Sequence, residues 1–76
     1  MMISSYDGKR AYNSRYIRSI QLRRGEGGAK MEIVADIDGV RDVTILYRAN
    51  IYENPEAEEC IERVYKRLID RMNGEK

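Results

Sequence analysis

From Lys30 to Ile51 apolar and polar residues alternate with a period of two, and beyond Asn54-Pro55 the period lengthens to that of a helix. The alternation is interrupted at Asp38-Gly39, a dipeptide that suits a tight turn between antiparallel strands. Met31, Ile33, Ala35 and Ile37 share one face of the first strand, with Glu32, Val34, Asp36 and Asp38 on the other. After the turn, Val43, Ile45, Tyr47, Ala49 and Ile51 continue the apolar face, while Asp42, Thr44, Leu46 and Arg48 point away. Asn54 supplies an amide oxygen for an orphan N–H, and proline's fixed φ suits the first helical position. Glu56, Glu58 and Glu59 then complement the positive end of the helix dipole. Ala57, Cys60, Ile61, Val64, Tyr65, Leu68, Ile69 and Met72 form an apolar stripe ending before Gly74, with Ile61, Val64 and Leu68 at its centre.

Upstream, Arg15–Arg24 fits two periods. Arg18, Ile20, Leu22 and Arg24 alternate as in a strand, whereas Tyr12, Tyr16 and Ile20 lie at helical spacing. The β-branched and aromatic content favours the strand, and Gly25-Glu26-Gly27-Gly28 supplies the loop into the next one. Residues 1–14 form either a tethered arm or a small hairpin turning at Asp7-Gly8. The reading is therefore α+β: a three-stranded antiparallel meander (15–24, 30–38, 41–52) packed on one C-terminal helix (55–73). Residues 1–14 precede a single domain spanning 15–76. In element order alone, from Arg15 to Met72, this layout resembles the amino-terminal DNA-binding domains of some tyrosine recombinases and plant AP2-type domains. No residue motif of either family accompanies it, and layout alone implies no function.

Seventy-six residues build a small core, worth only about 3–5 kcal/mol of net stability, so support from another chain is expected. An internal disulfide is excluded because Cys60 is the single cysteine, and the absence of histidine removes both a zinc site and an activating base for that thiol. Cys60 reads as a packed thiol. Asp36, Asp38 and Asp42 miss the spacing of a calcium loop, so neither metal nor cofactor is expected. No apolar run has the roughly 20 residues of a membrane span, and residues 1–12 lack the apolar centre of a signal peptide. A cytoplasmic, non-enzymatic protein is the expectation.

Two surfaces stand out as places for binding. With a helix on one side of the sheet, Ile17, Val34 and Leu46 fall together on the other, an apolar strip expected, with an edge strand as the alternative, to form the interface of a homodimer that binds a protein partner. Alternatively the N-terminal arm folds back over it. The second surface follows from charge: residues 1–30 carry +5 and the remainder −4. Lys9, Arg10, Arg15, Arg18, Arg23 and Arg24, interleaved with Tyr12 and Tyr16, combine phosphate-gripping and base-stacking side chains, which makes nucleic acid the alternative partner.

Overall fold

The computed structural model describes residues 1–74, the Glu26 side chain excepted. Strands β1 (Met2–Ser4) and β2 (Ala11–Asn13) pair as a small antiparallel hairpin. A 3-10 turn at Ser14–Tyr16 leads into β3 (Ile17–Arg24), β4 (Lys30–Ile37), β5 (Thr44–Asn50) and the helix α1 (Glu56–Gly74). The three longer strands form an antiparallel sheet in the order β3-β4-β5, on which α1 packs. This is the α+β architecture that the two periodicities predict, and the first fourteen residues adopt the hairpin form. The helical spacing of Tyr12 and Tyr16 is not used in an α-helix: Tyr12 lies in β2 and Tyr16 ends the 3-10 turn.

Local chemistry sets the boundaries. The Asn54 side-chain oxygen accepts the Glu56 amide at 3.2 Å, and its carbonyl accepts the Ala57 amide at 2.9 Å, so the helix begins with its first donors satisfied. The turn after β4 closes through Val40 N–H to Ile37 C=O at 3.0 Å, with Gly39 at φ 84°, a value that L side chains rarely adopt.

Ile33 of β4 and Ile61 of α1 are both fully buried and form the centre of the core with Met31. Leu22, Leu46, Tyr65 and Leu68 close around them. A second cluster joins Ile3 of the hairpin to Ile17, Ala35 and Ile37, with Tyr12, Leu46, Leu68 and Met72 packed against it. The hairpin is thus part of the core rather than an arm. Its loop reaches the β5 side of the helix-free face, where the Tyr6 ring meets Arg48.

Two register shifts correct the expected strip of Ile17, Val34 and Leu46. In β3 the ladder steps from Ile17↔Ile37 to Ser19↔Asp36, which leaves Arg18 as an extra residue. In β5 it steps from Tyr47↔Ile33 to Ile45↔Val34, with Leu46 extra. Because side chains alternate between faces, one inserted residue reverses every position beyond it. Ile17 and Leu46 therefore turn into the helix-facing core, and Ile45 moves to the face of Val34. The three residues do not share an exposed surface. A further correction concerns α1, whose stripe is only partly covered: Cys60 is exposed rather than packed, and Val64 keeps 36% of its surface.

Ile61→Ala is expected to cost about 2–5 kcal/mol in urea denaturation, as emptying a large buried aliphatic site does. Val64→Ala, at an exposed position, should change stability by only about 0.5 kcal/mol or less. Equal losses from the two substitutions would mean that α1 sits on the sheet with a different face.

Candidate interaction surfaces

On the side of the sheet away from α1, Arg23, Glu32 and Arg48 line up in register across β3, β4 and β5. Glu32 is only 5% exposed, and each of its oxygens takes a different guanidinium. Arg48 donates to Oε2 from Nη2 at 2.5 Å and from Nε at 2.7 Å, while Arg23 Nε reaches Oε1 at 3.4 Å. Burial alone would raise the Glu32 pKa. The hydrogen bond and positive charge of Arg48, with help from Arg23, outweigh that effect and hold the carboxyl below its ordinary range. Beside this row lies Val34, 2% exposed, between Gln21 and Ile45 in register. What was expected to be a bare apolar face is a polar one that shields its few apolar members.

The basic residues named from the sequence separate into two groups. Arg18 pairs with Asp38 at 2.5 Å, Arg23 with Glu32, and Arg24 with Glu58 of α1 at 3.4 Å. These three arginines thus have carboxylate partners within the fold, and Tyr12 packs against the core. Arg15 lies over the ring of Tyr16, 5.8 Å from its centroid, at the surface. Lys9 and Arg10 are exposed in the hairpin loop and make no ion pair with a described residue.

That loop overhangs the edge of the sheet. Tyr6 N–H donates to Ile45 C=O at 2.8 Å, and the Tyr6 ring lies 5.8 Å from the Arg48 guanidinium. Between the hairpin and β5 runs a cleft of about 560 Å³, lined by Tyr6, Lys9, Arg10, Val43, Ile45 and Arg48 among others. Its one carboxylate belongs to Asp7. The Ser5 hydroxyl at 2.6 Å, and then the Lys9 amide at 3.0 Å, hold this carboxyl below its ordinary range and keep it in the turn. Sequence reasoning named Lys9 and Arg10 but not the strand they overhang, because their placement depends on how the hairpin docks.

β5 itself is an edge strand. Beyond the bond at Ile45, no backbone hydrogen bond from a neighbouring described segment reaches residues 46–50 other than those from β4. Tyr47 lies opposite Ile33 on the helix-facing side, yet is 39% exposed where the sheet ends, and Val43 and Tyr52 are also exposed. The other edge is better guarded. Tyr65 Oη donates to Ile20 C=O at 3.3 Å, and Arg18, Arg23 and Arg24 populate β3.

Among the described residues no group of three or more metal-ligating side chains comes together, and no helix is long and apolar enough to cross a membrane. Comparison with known proteins found no matching family model, no matching curated protein and no matching solved structure.

The pH dependence of stability tests the role of Glu32. Its folded pKa lies below the unfolded value, so its contribution is complete above the ordinary carboxylate range and lost as pH falls through the folded value. Glu32→Gln should destabilise the protein by roughly 1.5–3 kcal/mol near neutrality, as expected when charge-assisted hydrogen bonds are removed. In paired denaturation curves this difference should shrink as the solution is acidified below pH ~4. A difference that stays constant down to strong acid would remove the ion-pair explanation.

Proposed function

We propose that the chain is a small non-enzymatic interaction module that binds a protein partner along the β5 edge and the adjoining flank of α1. The observation that carries this reading is the open edge, bordered by exposed Tyr47 and Val43. Main-chain donors and acceptors on such an edge accept an added strand, and exposed aromatic and aliphatic side chains beside it supply the contacts common at interfaces. A catalytic reading has less support. The chain has no histidine, and its buried carboxylate, Glu32, is committed to two arginines.

The homodimer would use the same edge. Antiparallel self-pairing centred on Tyr47 sets Ile45 against Ala49 of the second copy, but the Ile45 carbonyl is already occupied by Tyr6. Centring on Arg48 sets like charges face to face, which is unfavourable. A foreign strand that ends short of Tyr6 meets neither conflict, and this favours a different protein over a second copy. Nucleic acid is the remaining alternative. Its support is confined to Lys9, Arg10, Arg15 and Tyr16, since Arg18, Arg23 and Arg24 have carboxylate partners and Tyr12 packs against the core.

Panning a displayed library of random peptides on the wild-type chain, with counter-selection on Tyr47→Asp, tests the edge. The expected outcome is a set of peptides with strand-like alternation that prefer the wild type, while both proteins melt alike. Peptides that bind both proteins equally would place the binding surface elsewhere. Light scattering at tens of micromolar should give the mass of one 8.9 kDa chain; twice that mass would put the homodimer first.

A further inference from the structure

We infer that the partner presents an extended acidic segment, which pairs as a fourth strand with residues 46–50 and places its carboxylates near the cleft beneath the hairpin. This inference rests on the edge-binding reading above and adds the chemistry of the partner.

Charge is the first argument. Lys9, Arg10 and Arg48 face the cleft against the single carboxylate of Asp7, which the turn already engages. Arg48 shares Glu32 with Arg23, so that row holds two guanidiniums for one carboxylate. Lys9 and Arg10 make no ion pair with a described residue. The surplus is positive, and an incoming carboxylate would reduce it.

Register is the second. Tyr47 lies on the helix-facing side of β5, whereas Arg48 lies on the opposite side with Glu32. A strand laid beside β5 presents alternate side chains to those two sides. An alternating apolar and acidic sequence therefore matches both, with its apolar residues beside Tyr47 and its carboxylates toward Arg48, Arg10 and Lys9. The hairpin sets where that strand ends, because Tyr6 holds the Ile45 carbonyl.

The same features weigh against the other occupants. A nucleic-acid strand has no alternating N–H and C=O groups to pair with an edge. A second copy would bring its own β5, and between Val43 and Tyr52 this chain has no carboxylate to offer the cleft.

Fluorescence anisotropy with four labelled probes tests the inference on the full chain. They are a short peptide of alternating valine and glutamate, the same peptide with lysine for glutamate, the glutamate peptide methylated at alternate backbone nitrogens along its pairing edge, and an oligothymidylate. The glutamate peptide is expected to bind, the lysine and methylated peptides to bind at least about tenfold more weakly, a difference of about 1.4 kcal/mol, and the oligothymidylate to bind least. Lys9→Glu combined with Arg10→Glu should weaken the glutamate peptide by a similar factor. Both residues are exposed, and melting curves of the variant are expected to match the wild type. Lys9→Gln with Arg10→Gln provides a milder variant with the same expected direction. Equal binding of the lysine peptide, or indifference to the loop substitutions, overturns the acidic partner while leaving the edge reading intact. Equal binding of the methylated peptide overturns edge pairing itself, as does failure of every peptide to bind. Preferred binding of oligothymidylate overturns both in favour of nucleic acid, and a peptide excluded by concentration-dependent doubling of mass overturns them in favour of a second copy.

Discussion

The central strand β4 has almost no surface to give to solvent: from Met31 to Ala35 every residue is buried, although only one face of the sheet carries the helix. The helix α1 covers the face of the sheet on which Met31 and Ile33 lie. On one side Ile61 and its neighbours seal Met31 and Ile33 by ordinary apolar packing. On the other, long arginine stems from both neighbouring strands converge on Glu32. Guanidiniums suit that task because their aliphatic stems cover apolar surface while their charged ends stay wet. A buried acid in the middle strand thus recruits the cover for its own face.

This arrangement limits how the rest of the molecule can be used. Arg23 and Arg48 are needed to satisfy Glu32, while Arg18 and Arg24 tie β3 to the Asp38 turn and to the first turns of α1. Three of the seven cations of the first thirty residues, Arg18, Arg23 and Arg24, are therefore engaged within the fold. Lys9, Arg10, Arg15 and Lys30 make no ion pair with a described residue, and of these Lys9 and Arg10 lie on the hairpin loop beside the β5 edge.

Much of this was legible in the sequence. The alternation of Met31, Ile33, Ala35 and Ile37 identified the buried face of β4, and Asn54-Pro55 marked the start of α1 to within one residue. The register shifts were not legible, because Arg18 and Leu46 are ordinary strand residues and a bulge is a property of two paired strands, not of one. The adjacent apolar pair Ile45-Leu46 was the one local hint that β5 changes face. The candidate surface was missed for a related reason. Lys9 and Arg10 were recognised as basic, but their partner Arg48 lies on another strand and is brought near them only when Ile3 enters the core. Val64 and Cys60 were read as covered because helical periodicity reports a stripe wider than a three-stranded sheet can reach.

The two bulges also bear on how such a chain tolerates changes in length. Loss of Leu46 would leave Tyr47 opposite Ile33 and Ile45 opposite Val34, each on its present face, and would remove the side chain that now bridges both halves of the core. Loss of Arg18 would likewise leave Ile17 opposite Ile37 on the core face, and would remove the partner of Asp38. A one-codon deletion at a paired position of either strand would instead reverse the faces of the residues beyond it. In descendants of this sequence, single-residue changes of strand length should accordingly be found at positions 18 and 46 before they are found at the paired positions around them.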